Sequence, residues 1–141
     1  MKKYFYFFFL IPSFISCSKS EKKIAGVYVK SPSHYTIDTL FVYADSLQPT
    51  LVYNRKVYKY MQRFYNKSTG QILFENRSTW WINDNGRLEL DNLYLDGDNN
   101  PENYSYSPVA IKNAVISSSL PLKSDKIIVN EDEGVFYLKV K

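Results

Sequence analysis

The most restrictive feature of this sequence is a pair of neighbouring segments in which side-chain polarity alternates with a period of two. Between Gln71 and Asn83 the apolar side chains at even positions are Ile72, Phe74, Trp80 and Ile82. Between Lys56 and Tyr65 the even positions are Tyr58, Tyr60, Gln62 and Phe64. A period of two places alternate side chains on opposite faces of a β-strand. The pattern therefore predicts a long antiparallel hairpin with an aromatic inner face and a polar outer face.

The rest of the chain also predicts β-structure. From Ile24 onward no sustained helical spacing of apolar residues occurs, and short runs of β-branched and aromatic residues alternate with turn residues. The predicted strands are Ile24 to Val29, Asp38 to Tyr43, Lys56 to Tyr65, Gln71 to Asn83, Arg87 to Leu95, Val109 to Ser117, Lys126 to Asn130 and Val135 to Lys141. We expect an all-β domain, an antiparallel meander of about eight strands that forms a coiled sheet or a small barrel, because strands much longer than five or six residues favour strong coiling.

Residues 1–16 differ in kind from the rest of the chain. A charged start is followed by an apolar run of about a dozen residues, shorter than the roughly 20 that a membrane-spanning helix needs. This pattern predicts a signal peptide. The junction Phe14-Ile15-Ser16-Cys17 resembles the lipobox of bacterial lipoproteins. The resemblance implies cleavage before Cys17 and lipidation of Cys17, with residues 17–23 as a polar tether and residues 24–141 as the domain. The alternative is an unmodified cysteine beside an ordinary signal peptide.

Composition excludes several classes of function. Cys17 and His34 are the only cysteine and histidine, so an internal disulfide and a cysteine zinc cluster are impossible. Lys2 and Lys3 belong to the predicted signal, and their removal lowers the net charge from +4 to +2. A small net charge in an exported protein argues against a nucleic-acid partner. His34 lies in a predicted loop without the orienting acid that a nucleophile and base need. We expect no enzymatic activity, no cofactor and no resident metal.

Several motifs resemble those of small bacterial lipocalin-like lipoproteins, whose domain is a calycin-type β-barrel. Ala25-Gly26-Val27-Tyr28 is similar to the G-x-W opening strand of that family, with Tyr28 at the tryptophan position. The family's other strand motifs, "DTL…D", "F-x-N-x-G-T-W" and "G-x-L-x-L", resemble Asp38 to Asp45, Phe74 to Trp80 and Gly86 to Leu90. The resemblance spans Ala25 to Leu95 and implies a barrel whose lumen holds a small ligand or is filled by side chains.

Two functions are compatible with these observations. In the first, the lumen binds a small apolar or amphipathic ligand through its aromatic side chains, which are Tyr58, Tyr60, Phe64, Phe74 and Trp80. In the second, the barrel is filled, and a non-enzymatic envelope protein docks another envelope protein through its outer face. An internal void of several hundred Å³ would favour the first. In both, the chain is anchored through Cys17 in the bacterial cell envelope, with the outer membrane favoured and the domain in the periplasm or at the cell surface.

The turn after Trp81 determines which tryptophan faces the core. A three-residue loop from Asp84 to Gly86 pairs Ile82 with Leu88 and Trp80 with Leu90, whereas a two-residue loop leaves Ile82 opposite a glutamate. We predict the three-residue loop because every apolar partner then lies on one face. Trp80 is therefore assigned to the core, and Trp81 faces outward as a candidate contact for a partner.

Two charged features allow both a structural and a functional interpretation. Oxygen-bearing side chains at alternate positions from Asp96 to Glu102 resemble the spacing of calcium loops, but Pro101 and the composition favour a solvated turn-rich loop, and we assign no metal ligand. A basic row on the outer face of the predicted hairpin comprises Arg55, Lys59, Arg63 and Lys67. This row either attracts an anionic partner or is neutralised by neighbours such as Glu75.

Overall fold

The structure is a computed structural model that describes residues 18–31, 33, 35–45, 48–49, 55–95, 109–111, 114–118 and 125–141. The predicted signal peptide, Cys17, His34 and the loop from Asp96 to Glu102 lie outside the described residues. A short helix, α1 (Ser18–Ile24), precedes the strands. The strands are β1 (Gly26–Ser31), β2 (Thr36–Val42), β3 (Gln48–Pro49), β4 (Lys56–Asn66), β5 (Ile72–Ile82), β6 (Leu88–Leu90), β7 (Leu93–Leu95), β8 (Val109–Ile111), β9 (Ala114–Ser118), β10 (Lys126–Asn130) and β11 (Val135–Lys139).

Eight strands pair in a continuous ring. The order around the ring is β1, β2, β4, β5, β6, β9, β10 and β11, and β11 pairs with β1. Every neighbouring pair is antiparallel, and β3 adds to one end of β4. The prediction of an all-β antiparallel meander with a coiled, barrel-like sheet is therefore confirmed. This topology gives each strand one face toward a common interior.

Two predicted strands are wrong in extent, because each is divided in the structure. The segment predicted from Arg87 to Leu95 forms β6 and β7, and the backbone between them turns at Asn92, whose φ of 53° lies in the left-handed region. The segment predicted from Val109 to Ser117 forms β8 and β9. β7 and β8 leave the ring and pair with each other in a separate two-stranded sheet.

Most of the predicted tether forms α1, which packs against the barrel. Glu21 and Ile24 are buried, and Ile24 joins the hydrophobic core. The Tyr28 hydroxyl donates a hydrogen bond to the Ile24 carbonyl (2.6 Å), and Lys139 Nζ donates to the Lys23 carbonyl (2.7 Å). The apolar Ile24 at the end of a polar segment gains more from burial than from remaining in an extended tether. No helix within the described residues combines the length and the apolar character needed to span a membrane.

Three of the hairpin turns have the same arrangement. Asn66 and Asn130 end β4 and β10, and Asn83 follows β5. Each uses its side-chain oxygen to accept hydrogen bonds from main-chain N–H groups of the turn, at 2.9 to 3.3 Å. Each turn contains a glycine in the left-handed region, and these are Gly70, Gly86 and Gly134. An asparagine that caps the turn and a glycine that reverses it are the residue types that such turns require.

The core is built from the even-numbered face of the long hairpin. Trp80 is fully buried and pairs with Leu90 of β6. Its indole N–H donates a hydrogen bond to the Tyr43 carbonyl (2.9 Å). Ile82 pairs with Leu88, so the predicted three-residue loop and the predicted register are confirmed. The other side chains with less than 2% exposure are Leu40, Tyr60, Gln62, Phe64, Leu88, Leu90, Leu93, Tyr137, Thr36 and Asp38.

Candidate functional site

The five aromatic residues predicted to bind a ligand lie on the even-numbered face of the long hairpin, and four of them form two stacked pairs. Tyr58 stacks on Trp80 with ring centroids 4.8 Å apart, and Phe64 stacks on Phe74 at 5.2 Å. Phe74 is half-buried, and the other four residues of the predicted set are buried. Their faces therefore contact neighbouring side chains of this chain, which is the environment of core residues.

A polar cluster is buried among these aromatic rings. Gln62 Nε2 lies 3.0 and 3.1 Å from the two carboxylate oxygens of Asp38 and 3.0 Å from the Tyr137 hydroxyl, and that hydroxyl donates a short hydrogen bond to Asp38. Asp38, Gln62 and Tyr137 have no exposed surface. A carboxylate in such a position must be hydrogen-bonded, because an unpaired buried charge is very costly. The cluster joins β2, β4 and β11 across the interior.

The segment from Asp91 to Leu95, here called the inner segment, lies against side chains that face the lumen. Lumenal side chains hold its backbone: the Tyr60 hydroxyl donates to the Asp91 carbonyl (2.6 Å), and Asn76 Nδ2 donates to the Asn92 carbonyl (2.8 Å). Gln62 bonds both main-chain groups of Tyr94, donating to its carbonyl (2.7 Å) and accepting from its N–H (3.1 Å). Leu93 is fully buried. The inner segment is thus bound through its backbone to side chains that face the interior of the ring.

A groove of about 630 Å³ lies on the outer face of the sheet. Its lining residues are Tyr43, Asp45, Lys59, Tyr60, Met61, Arg63, Arg77, Ser78 and Thr79. Most of them occupy the odd-numbered positions of β4 and β5, which face away from the lumen, or follow the end of β2. Of the five aromatic residues predicted to bind a ligand, only Tyr60 borders the groove. The groove therefore lies outside the barrel.

The charges at the groove form a linked set around Glu75. Glu75 lies 2.7 Å from Arg63 and 2.9 Å from Arg77, one arginine on each carboxylate oxygen. The hydrogen bonds from Arg63 and then Arg77 lower the pKa of the Glu75 carboxyl, which keeps it ionised. Arg63 also lies over the Phe41 ring at 5.7 Å. Glu75 thus neutralises part of the predicted basic row, and the groove retains cationic side chains at both strands.

The remaining members of the predicted basic row are engaged elsewhere. Arg55 forms an ion pair with Asp84 at 2.7 Å, and Lys67 Nζ donates to the Ser33 carbonyl (3.1 Å). Both contacts lie at the ends of the long hairpin. The row is therefore divided in the structure, and the groove retains Lys59 and Arg63 from it.

Trp81, the predicted partner contact, faces outward opposite Glu89 and is half-buried. Its indole N–H is enclosed and has no hydrogen-bond acceptor among the described residues. Trp81 does not line the groove. Its proposed contact with a partner stays a prediction.

Comparison with family models, curated proteins and solved structures gave no match. The family resemblance noted from the motifs therefore stays a prediction. Within the part of the chain that the structure describes, no group of three or more histidine, cysteine, aspartate or glutamate side chains could hold a metal ion.

Sequence reasoning missed the buried polar cluster and part of the groove. Asp38 and Gln62 stand at even positions of otherwise apolar strand faces, and this break in the pattern is the available signal for a buried polar pair. Tyr43 and Asp45 join the groove through the path of the chain after β2. No local sequence pattern marks that path.

Proposed function

We propose that this chain is a lipid-anchored protein of the bacterial cell envelope whose lipocalin-like barrel docks another envelope protein through its outer face. The observation that carries the proposal is the contrast between the two surfaces: the described lumenal side chains are buried and bind the backbone of the inner segment, whereas the groove opens outside. The barrel then acts as a rigid support. The proposal includes no enzymatic reaction, cofactor or nucleic-acid partner.

The groove has the composition of a protein-binding surface. Aromatic residues, methionine and arginine are enriched at interfaces, and Tyr43, Met61, Arg63 and Arg77 all line the groove. Paired strands β4 and β5 hold its floor, so little backbone ordering would be required on binding. The cationic side chains favour a partner surface that carries acidic groups.

The anchor is supported by the sequence around Cys17 and by the position of α1. The helix begins at Ser18, the residue after Cys17, and its far end is buried in the barrel. An acyl-modified Cys17 would therefore hold the barrel close to the membrane surface. More than one acyl chain on this residue would give stable attachment, since each buried methylene contributes about 0.8 kcal/mol.

The anchor is tested by cell fractionation of the full chain and its Cys17→Ser variant, with Ser20→Ala as a control in the same segment. We expect the native chain and the control in the membrane fraction and the Cys17→Ser variant in the soluble fraction. Retention of Cys17→Ser in the membrane would contradict lipid anchoring through this residue.

Docking is tested in cells with a photoreactive amino acid placed at Met61 in the groove or, as the matched control, at Leu138. Leu138 lies on β11, away from the groove, and is 42% exposed. We expect the Met61 position to give a discrete cross-linked protein adduct that the Leu138 position does not give. A small apolar molecule that copurifies with the chain, together with no adduct at Met61, would instead support binding in the lumen.

A further inference from the structure

Over part of its length, one edge of β5 has no partner among the described strands. β4 pairs with β5 from Ile72 to Trp80, whereas β6 pairs with β5 only from Trp80 to Ile82. One further hydrogen bond, from the Asp91 N–H to the Thr79 carbonyl (2.9 Å), extends the second pairing. After Asp91 the chain turns into the lumen. Among the described strands, none covers the edge of β5 beyond this point.

The main-chain groups at this edge belong to Glu75 and Arg77. The Asn83 N–H and the Thr79 carbonyl both bond toward β6. In an antiparallel strand, alternate residues direct their N–H and C=O groups to the same side. The main-chain N–H and C=O groups of Arg77 and Glu75 therefore point to the side of β5 that no described strand covers, here called the open edge. Together they offer two donors and two acceptors to a further strand.

The charges along this edge are self-complementary. Glu75 and Arg77 are two positions apart, with Asn76 between them. If a second copy of β5 lies antiparallel with its Asn76 opposite Asn76, each Glu75 faces the Arg77 of the other copy. Opposite charges directly across a strand pair are stabilising, and like charges are destabilising. The same alignment allows four main-chain hydrogen bonds.

We infer that the open edge of β5 is a pairing site for a second copy of this chain, arranged with two-fold symmetry about Asn76. The paired stretch centres on Glu75 and Arg77 and ends before Thr79, where Asp91 occupies the edge. Arg77 is the more exposed of the two arginines at Glu75, with 74% of its side chain exposed against 28% for Arg63, which holds the other carboxylate oxygen. This interface lies beyond the proposed docking function and adjoins the groove, which Arg77 also lines.

The first test uses a cysteine on the symmetry axis. Two residues directly opposite in a non-hydrogen-bonded pair have Cα atoms about 4.5 Å apart, which suits a disulfide. Full-length chain with Asn76→Cys, kept in its native membrane and mildly oxidised, should form a disulfide-linked homodimer. Thr69→Cys, at an exposed turn, is the matched control and should give little dimer. Equal yields from the two variants would overturn the inference.

The second test reverses the charges in the Asn76→Cys background. Arg77→Glu alone or Glu75→Arg alone places like charges opposite each other, and we expect the dimer yield to fall about tenfold. The double variant Glu75→Arg with Arg77→Glu restores opposite charges and should recover the yield. A double variant that remains as low as the single ones would overturn the symmetric register.

A third variant leaves Asn76 and its hydrogen bond to the inner segment intact. Arg77→Lys keeps the charge and supplies an amine, which a zero-length carbodiimide can join to the Glu75 carboxylate of the second copy. We expect a covalent homodimer from Arg77→Lys and none from Arg87→Lys, an exposed position in a turn. An adduct with a different protein in place of the homodimer would show that the edge takes another partner and would overturn the inference.

Discussion

At the scale of single residues, Gly26 marks a close approach between two distant parts of the chain. A Cβ atom at this position would lie 2.3 Å from the Lys141 carbonyl oxygen and 2.5 Å from Lys139 Cε. The Lys141 carbonyl accepts a hydrogen bond from the Val27 N–H (2.8 Å), so the backbone there is already engaged. Glycine is therefore required at position 26 for steric reasons. This accounts for the glycine in the motif Ala25-Gly26-Val27-Tyr28.

We expect Gly26→Ala to lower the free energy of unfolding by about 1 to 3 kcal/mol, the usual cost of forcing an extra carbon into a packed site. Gly70→Ala is the comparison, because nothing lies within 4 Å of the added Cβ and only the left-handed backbone is penalised. Urea unfolding of both variants measures the difference. A smaller loss at Gly26 than at Gly70 would contradict the steric explanation.

The two adjacent tryptophans should respond differently to the same change. Trp80→Phe removes a hydrogen bond to the Tyr43 carbonyl and leaves a gap beside Tyr58, so we expect a loss of about 1 to 3 kcal/mol. Trp81→Phe removes an enclosed N–H group that has no acceptor among the described residues, so its stability should stay the same or rise. Thermal unfolding of the two variants checks this order. A larger loss for Trp81→Phe would show that the indole N–H is satisfied.

At the scale of elements, the inner segment is held mainly by side chains of β4. Gln62→Leu keeps the approximate volume, but it removes one of the donors to Asp38 and takes the Gln62 side chain away from both Tyr94 main-chain groups, and we expect a loss of about 2 to 4 kcal/mol. Tyr60→Phe removes one hydrogen bond to the Asp91 carbonyl and should cost about 1 kcal/mol.

Hydrogen exchange of the Tyr94 amide, measured beside urea unfolding, provides a local readout of the same element. Its exchange should accelerate more in Gln62→Leu than in Tyr60→Phe, since Gln62 accepts the hydrogen bond of that amide. Equal exchange in both variants would mean that β8, and not β4, holds the inner segment.

The sequence predicted the ring strands and the turns but not the inner segment. Alternation and the asparagine and glycine residues at turns are local signals, and they located β4, β5 and the register of Trp80 with Leu90. The departure of the chain at Asn92 depends on tertiary hydrogen bonds from Tyr60, Gln62 and Asn76, which lie 16 to 32 positions earlier in the chain. The polarity pattern alone could not distinguish the inner segment from a continuation of the strand that begins at β6. The groove was missed for the same reason, because it combines three elements.

At the scale of the whole molecule, buried tyrosines couple stability to alkaline pH. Burial, with a smaller contribution from Asp125, raises the pKa of Tyr28 to about 12. Burial followed by Asp91 and Asp38 also raises the pKa of Tyr60. A pKa raised on folding means that the folded chain holds the proton more tightly than the unfolded chain. The resulting stabilisation is complete below the unfolded pKa of 10.0 and is lost as the pH rises toward 12.

We therefore expect the urea midpoint to decline steadily above about pH 10. Tyr28→Phe should show a shallower decline, because one of the coupled hydroxyls is absent. Tyr35→Phe is the control, since Tyr35 is 46% exposed. If the urea midpoints of the native chain and of Tyr28→Phe decline in parallel above about pH 10, the ionisation of Tyr28 is not coupled to stability.

A further whole-molecule prediction concerns divalent metal. The ring is closed by strand pairing and a core of aromatic and aliphatic side chains, so we expect a chelator to leave the β-sheet circular dichroism unchanged. A loss of signal that calcium restores would instead assign a structural calcium site to the loop from Asp96 to Glu102.

The pairing of β11 with β1 delays closure of the ring until the last strand has been synthesised. Tyr28 pairs with Lys139, which a ribosome adds 111 positions later. At about 5 to 20 residues per second, β11 is synthesised roughly 6 to 22 seconds after β1. During that interval the nascent chain can form the hairpin of β1 and β2 but cannot close the ring. Chaperones therefore have seconds in which they can bind an open sheet before the ring closes.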